Sequence, residues 1–155
     1  MKLELVRDWM SRDVITVTPD TTLPEADQLL IQNTIRRLPV VDENGRLVGI
    51  VTYGDIREAR PSQAASLTMW EMNYLLNRLT IREIMTVNPV TVSPDATIGE
   101  AAKKMLTNMI GGLPVVDSQG NLVGIITESD IFRLVVHHWN RAEDEHTEPY
   151  AHYQS

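Results

Sequence analysis

The chain contains no cysteine, and that absence removes disulfides, thiolate metal sites, iron–sulfur clusters and cysteine nucleophiles together. It also has no apolar run of the about 18 residues that a membrane-spanning helix needs. The first ten residues, MKLELVRDWM, alternate charge with apolar side chains and lack the continuous apolar stretch of a signal peptide. A soluble, cytoplasmic protein is the expectation. Positive charge is also scarce: 14 Lys and Arg face 21 Asp and Glu, giving a formal net charge of −7 and a pI near 5.0. A nucleic-acid surface spread over the whole molecule is thereby disfavoured, because neutralising phosphates takes clustered excess positive charge. A local basic pocket stays open. With 155 residues, 43% hydrophobic and 23% charged, the chain suffices for one ordinary domain or two small ones sharing a core. That composition excludes disorder throughout.

What the sequence does have is a repeat. Met10–Val17 read MSRDVITV and Met85–Val92 read MTVNPVTV; LPVVDENGRLVGIVTYGDI (Leu38–Ile56) meets LPVVDSQGNLVGIITESDI (Leu113–Ile131). The offset is 75 residues throughout, with no gap. Between Met10 and Arg57 roughly 23 of about 48 positions are identical, far beyond shared composition. Each copy has a readable order. Thr16-Val17 and Thr91-Val92 suggest a short strand, and Pro19-Asp20 and Pro94-Asp95 a turn. Thr22-Leu23-Pro24-Glu25 and Thr97-Ile98-Gly99-Glu100 fit the capping box that starts a helix, and Pro24 is tolerated in the first turn, where amides have no intrahelical partner. Ala26, Leu29 and Leu30 carry an apolar face onward, as do Ala101, Met105 and Met109. Two apolar strands follow, Leu38–Val41 and Leu47–Thr52, or Leu113–Val116 and Leu122–Thr127, joined by Glu43-Asn44-Gly45 or Ser118-Gln119-Gly120, where glycine supplies positive φ. A last helix begins at Tyr53 or Glu128. The expected fold is α+β: two strand–helix–strand–strand–helix units, each too small to bury a sufficient core alone and therefore packed together.

The boundaries follow. Residues 1–60 hold the first copy, 61–79 a linker and an inter-repeat helix, 80–140 the second copy, and 141–155 an acidic, polar tail expected to be flexible. In the inter-repeat helix, Met69, Met72, Leu76 and Leu79 fall on one face. Trp70 and Tyr74 share a second face, which either packs on the repeats or anchors an interface. His137, His138, His146 and His152 have no metal-ligand spacing, and no metal is expected.

The chain carries no G-x-S-x-G, H-E-x-x-H or G-x-x-x-x-G-K-[ST] sequence, and no histidine within the repeated core. Asp55 with Asp130 could in principle do acid–base work, but their equivalent places in a repeat suggest duplicated binding, and no catalytic residue is expected. Each copy instead ends a strand in Thr-x-x-Asp: Thr52 to Asp55, and Thr127 to Asp130. This spacing suits a helix cap, with both side chains pairing first-turn amides. The same geometry suits a nucleotide, with the helix start and hydroxyl taking phosphate and the carboxylate taking ribose hydroxyls. Both readings stand on the residues alone.

The pattern LPVVD-x-x-G-x-LVGI-h-T-x-x-D, preceded by M-x-x-x-h-h-TV-x-PD, resembles the CBS domain, named after cystathionine β-synthase; two in tandem are called a Bateman module. The resemblance covers about residues 5–60 and 80–138, and YGDIREA, ITESDIFR and WEMNYLL are similar to stand-alone bacterial CBS pairs of the acetoin-utilisation accessory type. It implies a disc-like homodimer that binds AMP, ADP, ATP or S-adenosylmethionine in clefts related by pseudo-twofold symmetry, and that acts on an effector protein the sequence does not name. Neither nucleic acid nor membrane is an implied partner. By this resemblance one site combines Thr52 and Asp55 with Val90, Thr91, Ile110 and Gly111. The other combines Thr127, Ser129 and Asp130 with Ile15, Thr16, Ile35, Arg36 and Arg37.

The two clefts differ. That of Asp130 has a hydroxyl at Ser129 and faces Arg36-Arg37, able to neutralise a phosphate. That of Asp55 has Gly54 and Gly111-Gly112 in the same places, which leave room but supply no charge. One nucleotide site, at Asp130, is expected, with the other cleft weaker or empty. The alternatives are that Arg36-Arg37 merely solubilise a strand edge, and that the chain is a dimeric interaction module binding no nucleotide.

Overall fold

Capping boxes and hairpin glycines set most of the element boundaries. The computed structural model describes residues 3–60 and 67–145. The elements are α1 (Val6–Trp9), α2 (Leu23–Asn33), β1 (Arg37–Val41), β2 (Leu47–Thr52), α3 (Tyr53–Ala59), α4 (Met69–Arg78), α5 (Ile81–Ile84), β3 (Thr86–Val87), α6 (Ile98–Asn108), β4 (Gly112–Val116), β5 (Leu122–Thr127) and α7 (Glu128–Glu145). Reciprocal capping boxes start α2 at Thr22/Glu25, α4 at Thr68/Glu71 and α6 at Thr97/Glu100. Each satisfies two backbone donors that a helix start leaves unpaired. The β1–β2 and β4–β5 hairpins are antiparallel in matching register, Arg37 opposite Thr52 and Gly112 opposite Thr127. Their turns place Gly45 at φ 78° and Gly120 at φ 85°, conformations in which a Cβ would be strained.

The expected first strand of each unit is reduced to a single residue. Val17 pairs with Val40, and Val92 with Val115, each as an isolated parallel bridge. Val17 donates to the Pro39 carbonyl at 3.1 Å and accepts from Val41 at 2.9 Å. The ladder cannot extend either way, because in this register the next donors are the nitrogens of Pro39 and Pro19, which carry no hydrogen. Pro114 and Pro94 impose the same limit in the second copy.

The leading segment of each copy packs on the other copy. Val6 of α1 is fully buried in a core with Val92, Ala101, Met105, Leu113, Val115 and Ile126. Ile81 of α5 is fully buried with Val17, Leu23, Leu30, Leu38, Val51 and Ile56. Backbone pairing repeats the exchange: Leu5 bridges Thr97 while Thr22 bridges Thr80, and Ser11 bridges Ile125 while β3 joins β2. The hairpin tips also meet, Leu47 donating to Gly120 at 3.1 Å and Leu122 to Gly45 at 3.2 Å, and Arg46 Nη2 caps the Gln119 carbonyl at 2.6 Å.

Some sequence expectations shift in detail. Met109 ends α6 in the left-handed region at φ 52° and is 91% exposed, so it leaves the apolar face that Ala101 and Met105 keep. Leu76 and Leu79 attach α4 to the first core, whereas Met69 is exposed. Trp70 and Tyr74 stack at 5.6 Å on an exposed face. Helix α7 continues to Glu145, into the stretch read as a tail. Its His137 meets Trp9 edge-on, and His138 pairs with Glu4 at 3.0 Å. Residues 61–66 of the linker, and His146 and His152, lie outside the described residues. Among the described residues no helix is long and apolar enough to cross a membrane, and no His, Asp and Glu side chains group as metal ligands.

The glycine in the LVG triplet is explained by the exchange. A Cβ at Gly124 would fall 2.6 Å from Met10 Sδ and 2.9 Å from the Ser11 carbonyl, and one at Gly49 would fall 2.8 Å from Met85 Sδ. Gly124→Ala is expected to destabilise the fold by about 1–3 kcal/mol, the usual cost of overpacking, and urea unfolding checks this.

Candidate functional site

The exchange draws the two copies together around a pseudo-twofold axis, and a cavity of about 540 Å³ opens beside it. Its walls come from both copies: Ile15, Ile35, Arg36 and Arg37 on one side, Thr127, Ser129 and Asp130 on the other. Seven of the eight residues expected at this cleft therefore line it. The exception is Thr16, which lines a separate cavity against α2 with Thr21, Gln28 and Leu29. Asp13, Val14 and Ile15 face the cleft in succession, and the chain turns Thr16 toward α2 instead.

Asp130 is 2% exposed. Its Oδ2 accepts from the Thr127 amide at 2.9 Å and the Thr127 hydroxyl at 3.3 Å, and its Oδ1 accepts from Arg133 Nη1. The equivalent pair in the first copy forms a full capping box: Asp55 accepts from the Thr52 amide at 2.8 Å, and the Asp55 amide donates to the Thr52 hydroxyl at 3.2 Å. The capping role is thus present at both motifs. The surroundings of the two carboxylates differ, however.

Of the residues expected at the second cleft, Thr52, Asp55, Val90, Thr91 and Ile110 line no part of the 540 Å³ cavity, whereas Gly111 is on its wall. Val90 packs on the second core, the Thr91 carbonyl accepts from Lys104 Nζ at 2.6 Å, and Ile110 with Gly111 borders a groove along α6 and α7. The reason lies at the axis. Arg37 and Gly112 are 75 residues apart and so occupy equivalent places, and the Arg37 side chain crosses to lie on its own counterpart. A Cβ at Gly112 would fall 2.7 Å from Arg37 Nη1, and one at Gly111 would fall 3.1 Å from Nη2 and 3.4 Å from the Glu128 carboxyl carbon. The space left by the two glycines is therefore filled by an arginine from the opposite copy. Burial lowers the Arg37 pKa below the ordinary arginine value, Glu128 opposes that shift, and neighbouring Arg36 adds to it.

Sequence reasoning missed Ser11, Asp13, Val14, Thr34, Ile125, Glu128 and Arg133 on the cavity wall. Arg133 was findable: it stands three residues after Asp130, the spacing of a helical ion pair, and its counterpart in the first copy is Glu58. With Arg133 counted, Arg36, Arg37 and Arg133 balance Asp13, Glu128 and Asp130 around the cavity.

Two α+β units exchanged about a pseudo-twofold, each with a Thr-x-x-Asp helix start, define a tandem CBS pair. The CBS domain model matches residues 6–62 and 81–137, and the chain belongs to that family. A Dictyostelium discoideum CBS domain-containing protein is 40% identical over 132 residues, 85% of this chain and 91% of that one. Relatives with enzyme names are longer: the chain spans 23% of the L-aspartate semialdehyde sulfurtransferase of Methanocaldococcus jannaschii. Among solved structures, the CBS domain pair of protein MJ0100, in complex with 5′-methylthioadenosine and S-adenosyl-L-methionine, is 38% identical with a TM-score of 0.73, covering 88% of this chain and 98% of that one. AcuB of Vibrio cholerae, named for acetoin utilization, is 32% identical with a TM-score of 0.75 over 96% of this chain and all of that one. CBSX2 of Arabidopsis thaliana, in complex with AMP, is 27% identical with a TM-score of 0.75, covering 86% and 97%.

The Arg37–Gly112 contact is directly testable. Gly112→Ala is expected to cost about 1 kcal/mol by crowding the guanidinium, and in an Arg37→Ala background that cost should vanish. A double-mutant cycle in urea measures the coupling.

Proposed function

We propose that this chain is a non-catalytic sensor of an adenosine nucleotide (AMP, ADP or ATP) bound in the cleft headed by Asp130. The observation that carries the reading is the composition of that cleft. A buried carboxylate and a threonine at the start of an 18-residue helix face Arg36 and Arg37 of the other copy across one cavity. A carboxylate there can accept from ribose hydroxyls, the helix start and Ser129 can donate to a phosphate, and the arginines can pair with its charge. Ile15 and Ile35 offer apolar surface to the base. Complexes of the similar MJ0100 and CBSX2 pairs with adenosine compounds support the ligand class, and S-adenosylmethionine is the alternative within it.

The cleft headed by Asp55 is weaker or empty in this reading, since Gly54 offers no hydroxyl and Arg37 occupies the space over Gly111 and Gly112. Occupancy of the Asp130 cleft is transmitted through the relative orientation of the copies, or of two chains in a homodimer, which an effector protein reads as a shifted population. Leu106, Phe132 and Val136, 79%, 66% and 57% exposed on α6 and α7, supply apolar surface for that dimer.

The capping bonds at Thr52 and Thr127 favour a second reading, an interaction module that binds no nucleotide. Calorimetric titration with AMP, ADP, ATP and S-adenosylmethionine separates the two. Saturable binding is expected, lost in Asp130→Ala, while the fold survives a cap loss of about 1 kcal/mol. Folded protein giving no heat with any of the four ligands leaves the interaction module standing.

A further inference from the structure

The hydrogen bonds around Asp130 place a competitor where a ribose would bind. A carboxylate oxygen has room for about two donors. Oδ2 already holds the amide and hydroxyl of Thr127, and Oδ1 holds Arg133 Nη1. One acceptor position is left, on Oδ1, whereas a vicinal diol needs two, so a ribose engaging Asp130 with both hydroxyls displaces either the Thr127 hydroxyl or Arg133, and Arg133 is the charged competitor. The Arg133 side chain is 67% exposed and the Asp130 side chain 3%. The arginine is thus the solvent-facing partner, and it lines the same cavity as Arg36 and Arg37. In the first copy the equivalent residue is Glu58, which cannot donate to Asp55. The competing cation belongs to one cleft alone.

We propose that Arg133 sets the ligand preference of the Asp130 cleft by trading the carboxylate for a ligand phosphate. A nucleoside displaces Arg133 and gives it nothing in return. A nucleotide bearing a 5′-phosphate displaces it and then pairs with it through charge-assisted hydrogen bonds, which are stronger than neutral ones. The trade rests on the nucleotide reading above and adds a selection step to it: the same side chain opposes adenosine and favours AMP.

Opposed effects on two ligands make the test specific. Affinities for AMP and for adenosine are measured by calorimetry, with competition against AMP where adenosine binds weakly, on the wild-type chain, Arg133→Gln and Arg133→Lys. In Arg133→Gln adenosine is expected to bind about two- to fivefold more tightly, the range of an exposed ion pair removed. AMP is expected to bind about tenfold more weakly, the loss of a hydrogen bond between charged groups. Arg133→Lys keeps the charge and should retain part of the preference for AMP. If the wild-type chain binds AMP and the glutamine variant leaves the ratio of the two affinities unchanged, or moves both in one direction, the trade is wrong and the nucleotide site stands. If the wild-type chain binds neither ligand, the nucleotide reading fails and the trade falls with it. Circular dichroism of both variants checks the fold, which the exposed Arg133 side chain does not hold together.

Discussion

Each core of this protein is closed by a side chain from the other copy: Val6 seals the second and Ile81 the first. Everything that positions the cleft follows from this exchange. Burying those two residues requires α1 to lie against the β4–β5 hairpin side and α5 against the β1–β2 side, which fixes the copies about a pseudo-twofold. The segments that lead out of the exchange, residues 11–15, then run along the mouth of the cavity. The apolar contact that holds the fold together also sets the distance between Asp130 and Arg36-Arg37.

Much of this was legible in the sequence because the signals are local. The capping boxes at Thr22 and Thr97, the hairpin glycines Gly45 and Gly120, and the Thr-x-x-Asp motifs act within four residues of themselves. The exchange was not legible, because the pattern around Val6 or Ile81 marks an apolar face without saying which core it joins. The shrinkage of the first strand could have been read from Pro19 and Pro39, but only with the parallel register in hand. Thr16 shows the same limit on a smaller scale: a resemblance assigns a stretch to a site, and the path of the backbone decides which of its residues arrives.

The duplicated motif hides an unequal pair. Identical Thr and Asp residues start both α3 and α7, yet one helix is followed by Glu58 and the other by Arg133, and one cleft faces arginines where the other faces glycines. Arg37 sharpens the inequality by crossing the axis onto Gly112. A single long cation therefore contributes to one cleft and fills space in the other. The asymmetry comes from a few side chains on a nearly symmetric backbone.

The exchange also sets a timetable for synthesis. A chain emerging from a ribosome makes α2, β1, β2 and α3 long before Ile81, so the first core waits unsealed until α5 appears. Val6, made well before the second copy, has no partner until residues 92–126 have followed it. Neither half can finish ahead of the other, and contacts that span most of the chain slow the search for the folded state. A protein built from two small units thus folds on the schedule of one large one.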